Sequence, residues 1–280
     1  MTANDLQTLT ARVIELVREV GEYVRGERER VQASEIEIKG QGDYVSRVDR
    51  ESEDRLRTGL TAMLPGSTFM GEEDSPDARG GDWRWIVDPI DGTANYLAGL
   101  PTWSISVALE DRRENPDFFG PLTLGVVAEP ALNVIYDAWR GGGARKNGDP
   151  IHVSADRPLE HGIVATAFPF RRRQKLEDYL KLFTEIYPLV SDFRRIGSAA
   201  ADLCWVADGT FDGYFEMGLK PWDVAAGALI IEEAGGKISD WWGKPVCETG
   251  WTVTGNAHAY DTLRAIIDKH NFTRPEILFH

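Results

Sequence analysis

Two acids three residues apart across a proline are the first residues in this chain that could do chemistry. The stretch WIVDPIDGTANY, residues 85–96, runs an apolar segment into Asp88, then Pro89, Ile90 and Asp91, then Gly92 and Thr93. A strand that ends by presenting two carboxylates has put charge where a core should close, so a cation is expected there. Pro89 fixes its own φ and stiffens the turn. Asp88 and Asp91 can then converge on one point, with the carbonyl of Ile90 as a further oxygen. Gly92 lets the backbone approach a ligand closely. The amides of Gly92 and Thr93 are available to a phosphate oxygen, and the Thr93 hydroxyl can hold a water. Two more segments carry acids where local structure ends: MGEEDS gives Glu72 and Glu73, and PWDVAAG gives Asp223 in the first turn of a helix. Singly, each has an ordinary explanation: an exposed acidic turn for GEEDS, a first-turn acid favoured by the helix dipole for Asp223, an Asp-rich turn for DPIDGT. Together they supply ligands for roughly two or three hard cations. With no Cys/His cluster at zinc spacing, oxygen-only ligation points to Mg²⁺, with Mn²⁺ as the second choice.

The elements that must position these acids follow from periodicity. Leu6, Leu9, Val13, Leu16, Val17, Val20 and Val24 predict an amphipathic helix over 4–30. EIEIK, 35–39, alternates as a strand, GQGD breaks it, and 47–63 reads as a second helix with Asp49 near its start. WSISVALE, LTLGVVAE and NVIYDAW read as strands, and GGGARKNGDP as a glycine-rich turn region rather than a dinucleotide loop. GIVATAF, SDFRRI and FDGYFEMG read as further strands. A helix over 173–187 is expected to turn Leu176, Leu180 and Phe183 inward. GSAAADLCWVADG reads as a helix stopped at Gly209. Pro221 opens another, running to Ala234, and a strand at 251–254 and a helix at 257–269 finish the chain. Interleaved strands and helices argue for layered α/β packing, in one domain over 1–280 with a soft lobe boundary near residue 155.

The bulk numbers exclude some functions. A chain of 280 residues with 42% hydrophobic content and 27% charged residues buries a sizeable core. A net charge of −14 repels nucleic acid and anionic membranes, so neither is expected as a partner, and a phosphorylated substrate would need bound cations to reverse the local field. Cys204 and Cys247 sit in no paired motif and read as buried thiols of a reducing compartment. The N-terminus lacks the pattern of a signal peptide, and no run approaches a membrane span, so the cytoplasm is the expected location. His152, His161 and His258 lie outside the motifs.

GEED, WIVDPIDGTANY and PWDVAAG resemble, in order and separation, the three signature segments of the inositol monophosphatase family, most closely its bacterial inositol-1-monophosphatase branch. The similarity extends through FRRIGSAAADLCWVADGTFDGYFEMGLKPWD and EEAGGKISD and covers roughly residues 5–265. The resemblance implies an α/β fold, a layered αβαβα sandwich of the inositol monophosphatase/fructose-1,6-bisphosphatase type, and a homodimer. It implies a Mg²⁺-dependent, Li⁺-sensitive phosphomonoesterase. By position, Glu72, Asp88 and the Ile90 carbonyl would hold one metal and Asp88, Asp91 and Asp223 a second, with Glu72 helping to hold a weaker third. Gly92 and Thr93 would contact the phosphate. Thr93, supported by Asp49, would orient the attacking water, with Glu72 as the assisting base. Gly197, Ser198, Ala199 and Glu216 would contact the polyol hydroxyls, and Lys220 lies in the loop before the metal-ligand helix. Inositol 1-phosphate is the expected substrate; histidinol phosphate, fructose 1,6-bisphosphate and 3′-phosphoadenosine nucleotides are the alternatives on the same metal site. The basic run PFRRRQK, 169–175, reads as a solvated helix start, a second anion site or a partner surface. A regulatory protein using the same fold is the non-enzymatic alternative. A passive Ca²⁺ module is disfavoured by the absence of EF-hand spacing.

Overall fold

The computed structural model describes residues 1–31, 33–40, 43–73, 80–114, 119–156 and 158–275. Helix α1 (Ala3–Glu27) starts at a capping box in which the Thr2 hydroxyl and the Asp5 carboxylate each accept from the other's backbone amide. It buries Leu6, Leu9, Val13, Val17, Val20 and Val24, as the spacing predicts. The strand expected at 35–39 is β1 (Ile36–Gly40), and it pairs with β2 (Asp43–Ser46), four residues too short to show a period. Ser46 caps α2 (Arg47–Met63). Then come β3 (Thr68–Gly71), β4 (Trp83–Asp91), the short α3 (Thr93–Ala98), β5 (Ser104–Asp111), β6 (Leu122–Glu129) and β7 (Val134–Trp139). The glycine-rich region expected to be turn also contains β8 (Ala144–Lys146) and β9 (Asp149–Pro150), which extend the sheet at its edge. The described strands of this first large sheet run in the order β3-β4-β5-β6-β7-β8-β9, with only β3 and β4 parallel.

The second half supplies β10 (Ile163–Thr166), α4 (Leu176–Ile186), β11 (Asp192–Arg194), α5 (Ala199–Ala207), β12 (Gly213–Glu216), α6 (Pro221–Glu233), β13 (Lys237–Asp240), β14 (Thr252–Gly255) and α7 (Ala257–Lys269). Its sheet runs β11-β10-β12-β14-β13. Strand β13 lies in EEAGGKISD, where alternation was too brief to read.

Helix chemistry decides the layering. Helix α6 buries residues all round, from Pro221 through Val224, Leu229 and Ile231, and a helix apolar on every side must lie between two sheets. It packs with α5 into a core that takes Ile86, Ala108 and Val127 from the large sheet and Ala165 and Tyr214 from the smaller one. Helices α1 and α2 are apolar on one stripe only, and cover the opposite face of the large sheet around Trp85, Val107 and Val126. Helices α4 and α7 cover the outer face of the smaller sheet around Val164, Phe215 and Val253. The result is an αβαβα sandwich. Among the described residues no helix is long and apolar enough to cross a membrane.

Two expectations need correction. Residues 170–175 form a 3₁₀ turn, and α4 turns Tyr179, Leu182 and Ile186 inward, while Leu176 and Leu180 stay 43% and 42% exposed and Phe183 is half-buried. The helix carries two apolar stripes, and the one with Tyr179 wins because its ring stacks on Phe215 and its hydroxyl meets that of Thr166 at 3.2 Å. Pro89 is not in a turn after a strand: β4 continues through it to Asp91.

Candidate active site

That continuation of β4 creates the site. Along a regular strand, side chains three residues apart point to opposite faces of the sheet. The β4–β5 ladder is regular from Trp83 to Asp88, then shifts register before Asp91 meets Ser104. Pro89 and Ile90 occupy the irregularity, where a missing amide does no harm to the ladder. The shift lets Asp88 and Asp91 face the same way. Asp223 comes from α6, where Pro221 opens the helix and the Asp223 carboxylate accepts from the Lys220 amide at 2.7 Å. Asp88, Asp91 and Asp223 thus offer oxygens that all lie within 4.8 Å of one another.

Each acid is held by its surroundings. Asp88 is 1% exposed, and its Oδ1 accepts from the Ile90 amide at 2.9 Å. Burial, then the charges of Glu72, Asp91 and Asp223, push its pKa well above the usual carboxylate range. Asp91 Oδ2 accepts from the Ser198 hydroxyl and the Ala200 amide, both at 2.7 Å, at the start of α5. Ser198 is in turn 2.9 Å from the Ser104 hydroxyl. Glu72 follows β3 and lines the same cleft, outside the tight triad. Its turn is pinned from α2: the Glu73 amide donates to Glu53 at 2.8 Å, and Arg57 holds Glu53 at 2.6 Å.

Three carboxylates this close are stable only with bound protons or a bound cation between them. The donor set is all oxygen, and Ile90 lines the same cleft. Such a set fits hard divalent cations, and the residues present fit the group expected from the sequence.

Beside the acids, Thr93 Oγ1 lies 3.1 Å from Asp49 Oδ1 and 3.0 Å from the Ile90 carbonyl. Asp49 is buried, and its other oxygen accepts from the Ser46 amide and hydroxyl at 2.8 and 2.6 Å. Burial raises the Asp49 pKa against these hydrogen bonds. Gly92 has φ +89°, and a Cβ there would come 3.0 Å from the Gly197 carbonyl oxygen and 3.3 Å from Ser198 Cβ. Only glycine fits this left-handed, crowded position without strain.

The cleft, with a cavity of about 150 Å³, also takes Gly197 and Glu216 into its walls. Glu216 ends β12, and the Tyr214 hydroxyl donates to it. Burial raises its pKa to about 7, with Tyr214 pulling the other way. Ser198 and Ala199 are buried and are not among the residues that line the cleft: the Ser198 hydroxyl meets Asp91 and Ser104, and Ala199 begins a packed helix. No histidine or cysteine among the described residues lines the cleft. Lys220 contributes its backbone amide to Asp223. Sequence reasoning missed Tyr214, Ser104 and the Phe168–Phe170 wall, for which no local signal exists. It also missed Ser46, although the S-x-x-D spacing of residues 46–49 is a legible capping box.

The model of the inositol monophosphatase family matches residues 5–271. The chain is 35% identical over 271 residues to the Nus factor SuhB of Pseudomonas aeruginosa, covering 95% of this chain and 97% of that protein. It is 39% identical over 261 residues to the inositol-1-monophosphatase of Rhizobium meliloti, covering 92% and 95%. The crystal structure of extragenic suppressor protein suhB from Bartonella henselae superposes with a TM-score of 0.85 at 33% identity, covering 94% of this chain and 99% of that one.

Proposed function

Since the chain belongs to the inositol monophosphatase family, we propose that it is a Mg²⁺-dependent phosphomonoesterase that hydrolyses inositol 1-phosphate or a similar small polyol phosphate. The observation that carries this reading is the convergence of Asp88, Asp91 and Asp223, from β4 and α6, to within 4.8 Å at a cleft that also holds Gly92 and Thr93. Divalent cations held by these acids, with Glu72 and the Ile90 carbonyl, would supply the charge that offsets the phosphate and the leaving oxygen and lowers the pKa of a water.

The chain's own residues do the rest. The Gly92 and Thr93 amides receive a phosphate oxygen. A hydroxyl has one proton, so when Thr93 donates it to Asp49 its lone pairs are left to accept from a water and aim it. Asp49, fixed by Ser46, keeps Thr93 in that role, and Glu72 stands at the cleft to take up the water's proton. Glu216, held by Tyr214, faces the hydroxyls of the ester's alcohol. No histidine or cysteine among the described residues lines the cleft, and in this reading the aimed water attacks the phosphorus directly.

The test is phosphate release from inositol 1-phosphate and histidinol phosphate, with and without Mg²⁺, by the wild type and Asp91→Asn. Mg²⁺-dependent release lost in the variant supports the reading, and no release from any ester by folded protein removes it. A second reading, an interaction role on the same fold, is favoured by the name Nus factor that the Pseudomonas relative carries. That name counts against setting aside every nucleic-acid-associated partner on charge alone. Both roles are compatible with an intact acid triad.

A further inference from the structure

Six of the eight tyrosines in this chain place their hydroxyl on another protein group. Tyr23 donates to Glu51, Tyr214 to Glu216, Tyr136 to Asp208 at 3.0 Å and Tyr96 to the Val24 carbonyl at 2.9 Å. Tyr179 meets Thr166 at 3.2 Å and Tyr260 meets Ser239 at 2.7 Å. Tyr187 is 63% exposed, so solvent serves its hydroxyl. The eighth, Tyr44, is half-buried and lines the cleft with Glu72, Asp88 and Thr93. No described residue is a hydrogen-bond partner of its hydroxyl. A ring that served only as cleft wall would need no hydroxyl.

The place of Tyr44 is built by its neighbours. It stands in β2, with Ile38 opposite Tyr44 and Glu37 opposite Val45 on β1. Side chains alternate along a strand. Val45 is fully buried, which leaves Tyr44 to the other face, the one at the cleft. Two residues on, Asp49 accepts from Ser46 and also from Thr93. Arg47 then ties the base of the hairpin to Glu27 at 2.8 Å and to Glu35 and Glu51 at 2.9 Å. Strand β2 packs against α3, the helix that Thr93 opens. The contacts that place Thr93 therefore place Tyr44 as well, with no help from the Tyr44 hydroxyl. A donor carried to a ligand site in this way gives up only bonds to water when it meets a ligand.

We propose that Tyr44 is a substrate-binding residue whose hydroxyl donates a hydrogen bond to a phosphoryl oxygen of the bound ester. The proposal rests on the phosphatase reading for the identity of the ligand. A phenol hydroxyl has one proton to give, and a charged phosphoryl oxygen accepts it more strongly than a neutral alcohol oxygen does.

Tyr44→Phe keeps the ring and removes the hydroxyl. The probe is inorganic phosphate, titrated calorimetrically into Mg²⁺-loaded wild type and variant. Its Kd is expected to rise about tenfold or more in Tyr44→Phe, the effect of one hydrogen bond to a charged group. The kcat/KM for inositol 1-phosphate should fall by a similar factor. Without phosphate, Tm should stay within about 1 °C, because the hydroxyl meets no described protein group. A phosphate Kd equal in the two proteins overturns the proposal, even where the ester itself binds more weakly. A weaker Kd accompanied by a lower Tm without ligand overturns it too, because the hydroxyl would then be structural. Phosphate affinity that depends on the hydroxyl, in a protein that hydrolyses no ester, supports the contact and removes the phosphatase reading. Mg²⁺-dependent hydrolysis with a phosphate Kd unchanged by the variant overturns the contact and leaves the phosphatase reading intact.

Discussion

Replacing Asp88 by Asn should stabilise the metal-free protein and erase its response to Mg²⁺. Asp88 shares a space of 4.8 Å with Asp91 and Asp223. Two charges at that distance repel by roughly 3–4 kcal/mol per pair at an effective dielectric of about 20. Proton uptake relieves part of this near neutrality, because burial and the neighbouring charges hold the Asp88 pKa well above its ordinary value. A raised carboxylate pKa means that the folded state binds the proton more tightly than the unfolded one, so the contribution of Asp88 to stability is lost as pH rises from the ordinary carboxylate pKa through the folded value. Asn carries no charge and its Oδ1 still accepts from the Ile90 amide, while its amide group has carboxylates to donate to. The expected gain without metal is on the order of 1–3 kcal/mol at pH 8, or about 2–6 °C in Tm, and close to nothing near pH 4. The wild type should gain about 1.4 kcal/mol when Mg²⁺ is present at about ten times its Kd. Thermal unfolding in EDTA and in Mg²⁺, at both pH values, checks all of this. A variant that melts below the wild type in EDTA at pH 8, or that gains as much from Mg²⁺, would refute the electrostatic account.

Further outcomes follow from other residues. Burial raises Glu129 to about 7 against its Trp205 hydrogen bond, so between about pH 4.5 and pH 7 the native state holds a proton that the unfolded chain releases. The stability of Glu129→Gln relative to the wild type should therefore rise by about 3 kcal/mol from pH 4.5 to pH 8, and flat denaturant-midpoint differences across that range would contradict it. Gly92→Ala forces a Cβ against the Gly197 carbonyl at φ +89° and should cost about 1–3 kcal/mol in urea unfolding and at least about tenfold in phosphate release. Thr93→Val leaves Asp49 and the water position without their shared hydroxyl, and should lower kcat by about a hundredfold with little change in KM, measured by steady-state phosphate release. Tyr214→Phe removes the donor that favours ionised Glu216, so the Glu216 pKa should move above about 7, read as an alkaline shift in the pH profile of KM for polyol esters.

Much of the acidic site was legible in the chain. DPIDGT, GEED and PWD name their acids by type, and PWD places Asp223 correctly, because a proline at the first helical position and an acid in the first turn are local signals. The burial of α1 was readable for the same reason: its seam repeats at helical spacing without reference to anything else. The reading of Pro89 as part of a turn failed because a bulge is defined by the partner strand, and β5 is what β4 slips against. The inward face of α4 failed because its sequence offers two apolar stripes, and only Phe215 and Thr166 on the sheet beneath choose between them. The resemblance puts Ser198 among the substrate contacts, and only the packed structure shows its hydroxyl on Asp91, 107 positions away in sequence.

Charge, capping and periodicity lie in the chain itself, which shows the acids by type, most of the longer helices and strands, and Asp223 in the first turn of a helix. Only the packing of separate elements decided that Asp88 and Asp91 face the same way, that Asp223 reaches them and that Tyr214 holds Glu216. Periodicity and capping act within a few residues of chain, so a sequence displays them directly. Convergence to 4.8 Å depends on how separate elements pack, and packing is settled by the whole core at once.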